Sequence, residues 1–391
     1  MFMFEKPLGM RDTLPSLYTF KSSVRNNMIN VIEKWGYQML ETPTLEFYET
    51  VGVQSAILEQ QLFKLLDQQG HTLVLRPDMT APIARVAASK LFKGNYPLRL
   101  AYAANVFRAQ QHEGGRPAEF EQVGVELIGD GTTSADAEVI ALMVSALKEA
   151  GLKEFKISIG HIGFIHALFE EILGNAERAD VLRRYLYEKN FVGYREHVKG
   201  LSISQIDKDR LLKVLYLRGG IEKCDEAMEL VQCKEGKQAL VDLQNLWTHL
   251  QSYQVEKYVK LELNIVSHMS YYTGILFELY ANHVGFPIGN GGRYDQLLAN
   301  FERPAPATGF GIRLDHLVEA LGEIQVTRDL YSVIYSEERR QEAFQEASKL
   351  REEGKHVVLQ NISGIQDVDS FAKQFTDVFY FLGKPGKERE R

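Results

Sequence analysis

Cysteine is nearly absent from this chain: Cys224 and Cys233 are the only two in 391 residues. Their spacing fits no zinc or redox motif, which argues against a disulfide-built fold or a cysteine-held metal and suits a reducing cytoplasm. Long hydrophobic runs are missing too. No stretch of about 18 apolar residues occurs, so no membrane-spanning helix is expected. The N-terminus, Met1-Phe-Met-Phe-Glu5-Lys6-Pro7, lacks the basic head and apolar stretch of a secretory signal. Positive charge is not in excess either, since the formal net charge is −7. Affinity for nucleic acid comes largely from Lys and Arg neutralising phosphates, so nucleic acid is not expected as a partner. Repeats and low-complexity tracts are absent.

What is there is an ordinary globular mix, 45% hydrophobic and 25% charged, in a length suited to two or three domains. Thr19 to Trp35 carries apolar residues at helical spacing, with Gly36 at a plausible C-cap and a strand-like stretch running into Pro43. Short strands are expected at Leu73–Leu75 and Leu98–Tyr102, a helix at Pro82–Lys90 and an alternating strand at Glu119–Gly129. Ala135–Ala150 is an amphipathic helix and Lys156–Ile159 a strand. From about Ile165 to Tyr258 the pattern is almost entirely helical. Strands return at Val259–Val266 and Ile275–Tyr280, and a helix at His316–Leu321 closes the region. Beyond Ile324, strand, helix, strand, helix and strand signals make a small α/β unit, followed by a charged tail from Lys384 that is expected to be disordered.

Five segments carry chemistry. Arg76-Pro77-Asp78-Met79-Thr80 combines a carboxylate able to pair an ammonium with a hydroxyl. Read alone, it is equally an N-cap before Ala81-Pro82. Phe107-Arg108-Ala-Gln110, a Gly114-Gly115 turn and Glu119-Phe-Glu-Gln122-Val-Gly-Val-Glu126 form a long hairpin. Arg108 can grip an anion bidentately, and Gln122 and Glu126 share one sheet face. Tyr271-Tyr272-Thr273-Gly274 offers two aromatic hydroxyls. Gly289-Asn-Gly-Gly-Arg293-Tyr294-Asp295 reads as a glycine turn. Gly309-Phe310-Gly311-Ile-Arg313-Leu-Asp315-His316 leads into the last helix of this region.

Together these segments, with the helix and Pro43 strand at the front, resemble the class II aminoacyl-tRNA synthetases in their histidinyl form, from about Gly9 to His316. The resemblance implies an α+β fold: an antiparallel sheet flanked by helices over residues 1–324, with a helical insertion at about 165–258. Residues 325–391 would form a shortened anticodon-binding-like α/β domain. It also implies a histidine pocket built from Asp78, Thr80, Arg108, Gln122, Glu126, Tyr271 and Tyr272, and a dimer interface at the first helix and strand. The chain departs from the synthetase pattern where ATP is handled. Gln110 stands where the family has Glu, Ser267 where it has a catalytic Arg, and His316 where motif 3 has its Arg; Arg313 replaces a glycine that leaves room for ATP. Amino-acid activation depends on cations placed around the phosphates, and each loss costs on the order of 10²–10³ in rate.

A histidinyl-synthetase-like chain that keeps its amino-acid side and lacks its ATP side resembles the regulatory-subunit family of ATP phosphoribosyltransferase. That resemblance implies a chain with no catalytic residues, metal or cofactor of its own. The implied partner is a short-form catalytic subunit, typically in a four-plus-four hetero-octamer, which performs the first step of histidine biosynthesis under feedback by histidine. The alternatives are a divergent histidyl-tRNA synthetase and a synthetase-like sensor of uncharged tRNA.

Overall fold

The computed structural model describes residues 4–94, 97–109, 117–267, 271–322 and 329–383. Alternation of apolar and small or polar residues along Leu98–Phe107 and Glu119–Ile128 makes these two strands the long hairpin at the heart of a nine-stranded sheet. In spatial order the strands are Gln38–Met39, Leu98–Phe107, Glu119–Ile128, Ala307–Arg313, Gly289–Arg293, Ile275–Ala281, Phe155–His161, Val259–Glu262 and Arg218–Gly219. Neighbours are antiparallel except at Gln38–Met39 with its partner and at Phe155–His161 with Val259–Glu262.

The period-two rule decides which side chains meet which layer. Val123, Val125, Leu127, Phe310 and Ile312 face the main core, where they meet Phe20, Val24, Met28 and Ile32 of helix Pro15–Lys34 and the apolar stripe of helix Thr133–Glu149. On the opposite face, Leu100, Tyr102, Val106, Phe120 and Ile128 pack with Met79, Ile83, Tyr294 and Leu297. Glu126 and Gln122 lie on this second face, between two apolar layers, and that places the site.

Gly289–Arg293, expected as a turn, is instead a strand inside the sheet. Its glycines serve close packing: a Cβ at Gly291 would fall 2.3 Å from the Gly309 carbonyl oxygen and 2.5 Å from the Phe277 ring. The helix expected from Pro82 starts earlier, at Thr80, and ends as α-helix at Val86. Helices Ile162–Leu173, Ala176–Tyr187, Phe191–Gly200, Gln205–Lys213, Glu222–Met228 and Lys234–Ser252 occupy the segment read as a helical insertion. Asn175, Asn190 and Ser204 cap three of them through backbone N–H groups. Arg218–Gly219 interrupts the helices and pairs with Val259–Glu262 at the sheet edge. A separate three-stranded sheet contains Leu45–Phe47, Thr72–Leu75 and Lys64–Leu66.

The chain divides into two units, Met1–Ile324 and Gln325–Arg391. In the second, Leu330–Tyr335 lies between His356–Asn361 and Asp377–Phe381, all parallel. Val333 meets Ala343, Ala347 and Leu350 of helix Arg340–Glu352 in its core. The tail from Lys384 lies outside the described residues.

Candidate functional site

The pocket begins at the start of helix Thr80–Val86. Asp78 accepts the Ala81 N–H at 3.1 Å with one carboxyl oxygen and the Ser55 hydroxyl at 2.7 Å with the other. Asp78 thus holds the first turn of the helix and also lines the cavity. The cap turns Thr80 toward the sheet, where its hydroxyl donates to Glu126 Oε1 at 2.9 Å.

Glu126 is 2% exposed. Its other oxygen accepts a short hydrogen bond from the Tyr294 hydroxyl. Burial raises its pKa to about 8, against the pull of the Tyr294 and Thr80 hydroxyls and with a further push from Asp78. Beside it, a Cβ on Gly309 would stand 2.0 Å from Glu126 Oε2 and 2.4 Å from the Val125 carbonyl oxygen. Only a glycine leaves room for this carboxyl.

Aromatic rings close the rest. Tyr271 and Tyr272 have ring centres 4.9 Å apart, and Tyr271 stands 5.8 Å from Tyr294. Asn290 donates to the Tyr272 hydroxyl at 3.4 Å. Arg108 donates from Nε to the Pro77 carbonyl at 2.9 Å, and burial lowers its pKa. The cavity lined by these groups measures about 30 Å³, room for roughly two waters.

All seven residues singled out from the sequence, Asp78, Thr80, Arg108, Gln122, Glu126, Tyr271 and Tyr272, line this one cavity. Further lining residues escaped notice as site residues, among them the polar Tyr102, Asn290 and Tyr294. Tyr294 belongs to the Gly-Gly-Arg-Tyr-Asp segment, and reading that segment as a turn hid its inward direction. Arg293, its neighbour, points elsewhere. It binds Asp136 at 2.8 and 3.1 Å and the carbonyls of Asp130 and Thr132, fixing the strand end.

A larger groove of about 710 Å³ adjoins the cavity across Arg108 and Asn290. His316 borders it and meets Phe286 in a tilted contact with ring centres 4.3 Å apart. Arg313, the expected bulky cation, lies 3.7 Å from the Phe120 ring centre and 3.3 Å from Asp315. Ser267 follows Val266 of the groove wall. Gln110 and the Gly114-Gly115 tip lie outside the described residues.

A nine-stranded, mainly antiparallel sheet with a carboxyl-and-tyrosine pocket on one face defines the class II synthetase-like fold. The family model described as "Histidyl-tRNA synthetase" matches residues 9–317, and "Histidyl-tRNA synthetase HisZ, C-terminal domain" matches residues 332–383. The chain is 65% identical over 389 residues to the ATP phosphoribosyltransferase regulatory subunit of Bacillus licheniformis, covering 100% of both chains. It is 64% identical to that of Bacillus subtilis (strain 168), again with 100% of each covered. A crystal structure described as an ATP phosphoribosyltransferase regulatory subunit/histidyl-tRNA synthetase from Bacillus halodurans is similar at TM-score 0.93 and 59% identity, over 98% of this chain and 100% of that one. Histidyl-tRNA synthetase from Nostoc sp. PCC 7120 shares the fold at TM-score 0.78 and 19% identity, over 94% and 88% of the two chains. This chain belongs to the family of ATP phosphoribosyltransferase regulatory subunits.

Proposed function

We propose that the chain is the regulatory, non-catalytic subunit of ATP phosphoribosyltransferase, and that the Glu126 pocket binds histidine as the feedback effector. A single contrast supports this reading. The amino-acid side of a synthetase pocket is complete, whereas Ser267 and His316 stand where the synthetases place cations for ATP. Glu126 would hydrogen-bond the imidazole, Asp78 and Thr80 would meet the α-ammonium, and Arg108 would meet the α-carboxylate. Feedback then requires that histidine make different contacts in two states of the assembly. The partner is a short-form catalytic subunit in a cytoplasmic hetero-oligomer, with this chain dimerising through its first helix and strand.

The test is turnover of ATP with phosphoribosyl pyrophosphate by a short-form catalytic subunit, with and without this chain, then with histidine. Activation that histidine suppresses is the expected result; a matched partner indifferent to the folded chain would sink the proposal. The match of residues 9–317 to the synthetase family favours one other reading, a divergent histidyl-tRNA synthetase. Histidine-dependent exchange of pyrophosphate into ATP would be its signature.

A further inference from the structure

Glu126 is buried, yet its bonded partners are the hydroxyls of Thr80 and Tyr294. No Lys or Arg among the described residues pairs with it. The groups facing it come from every surrounding element: Asp78 and Thr80 at the helix start, Tyr102 from the neighbouring strand, Tyr271, Tyr272 and Tyr294 from the opposite wall, and Arg108 at the rim. The adjoining strand contributes Gly309, Phe310 and Gly311, none of which titrates. A carboxylate enclosed in this way without a counter-charge is strongly disfavoured, while the neutral acid is satisfied by hydroxyls that rotate to donate or accept. The free pocket thus stores one proton.

We propose that Glu126 and the imidazole of a bound histidine share that single proton, so that binding is proton-neutral near neutrality and weakens on both sides. The inference rests on the histidine reading above. On binding, the Glu126 O–H either donates to the imidazole nitrogen or transfers to it, leaving carboxylate beside imidazolium. No proton leaves in either case, and the pair titrates as a unit.

The limits follow from linkage. The free carboxyl holds its proton up to about pH 8, and free imidazole gains one below about 6.5. Between these values, free and bound forms carry the same one proton. Above the window the complex must take a proton up, and below it one must be released. Affinity falls by about tenfold per pH unit on each limb, the slope of a one-proton linkage.

Calorimetry of histidine binding to the full chain, repeated in buffers of different ionisation enthalpy, counts protons directly. The expected counts are near zero at about pH 7.2 and one released well below pH 6. The α-ammonium of free histidine titrates in the alkaline range, so the quantity read there is the parent chain minus Glu126→Gln. That difference should approach one proton taken up near pH 9. Release of about one proton at pH 7.2, or a zero difference from E126Q at pH 9, overturns the shared proton while leaving histidine binding intact. Absence of binding at every pH overturns the histidine reading itself. Should E126Q not fold, the nitrogen chemical shifts of bound ¹⁵N-imidazole histidine serve instead. They should stay constant from pH 6 to 8, and a titration within that span overturns the proposal.

Discussion

The Thr80 hydroxyl donates to Glu126 across 2.9 Å, joining the first turn of a helix to an interior strand of the sheet 46 positions later in the chain. Through this bond the cap at Asp78, the sheet face and the tyrosine wall become one polar network. Such networks are coupled, and removing one member leaves its partners buried and unsatisfied.

Replacing Glu126 by Ala removes the carboxyl proposed to share a proton with the imidazole. Loss of a hydrogen bond to a charged group costs about 1.5–3 kcal/mol, so the histidine concentration that halves transferase activity should rise about 10- to 100-fold. Assembly and activation without histidine should persist. An unchanged inhibition curve would remove Glu126 from the effector site.

Glu126 also sets a pH dependence of stability, with a sign opposite to that of an ion-paired acid. Its folded pKa of about 8 lies above the unfolded value, so the native state holds the proton more tightly. Its contribution to stability is therefore greatest below about pH 4.5 and declines as pH rises toward 8. Glu126→Gln, which cannot ionise, should gain thermal stability relative to the parent chain as pH rises from 5 to 8. A Tm difference that does not change over this range would contradict the buried, uncompensated carboxyl.

Gly309→Ala and Gly311→Ala make a paired test of steric fit. At Gly309 the new methyl meets Glu126 Oε2 at 2.0 Å and a backbone carbonyl at 2.4 Å, whereas at Gly311 it meets first the Tyr102 hydroxyl at 2.9 Å. Backbone cannot step aside cheaply, so Gly309→Ala should cost about 3 kcal/mol or more and abolish the histidine response. Gly311→Ala should be milder in both measurements, chemical denaturation and inhibition. The reverse order would contradict the packing described.

Arg293 and Asp136 form a buried pair, 8% and 1% exposed at the side chain. Truncating one partner strands the other charge, at a cost of about 3–5 kcal/mol. Arg293→Ala should therefore lower Tm sharply and, by loosening the strand that precedes Tyr294, weaken histidine binding as well. A double-mutant cycle with Asp136→Ala should recover part of the loss, and strict additivity would argue against the pairing.

Much of this molecule is legible in one dimension, because the physics involved is local. Period-two alternation from Glu119 to Ile128 places Gln122 and Glu126 on one face without any coordinates. The stripe of Phe20, Val24, Met28 and Ile32 marks a buried helix face in the same way. The substitutions at Ser267, Arg313 and His316 are visible at once as changes of charge and size. Tertiary structure decided what depends on distant segments meeting. Gly289–Arg293 is a strand because its glycines admit neighbouring backbone and the Phe277 ring at distances a side chain would forbid, which no local glycine count reveals. Tyr294 enters the pocket because Arg293 is pinned by Asp136, a residue 157 positions away. The unusual proton affinity of Glu126 comes from enclosure by Thr80, Tyr294 and Gly309, which the chain brings together only on folding. The sequence supplied the carboxyl; its burial among hydroxyls, with no Lys or Arg paired to it among the described residues, determines its chemistry.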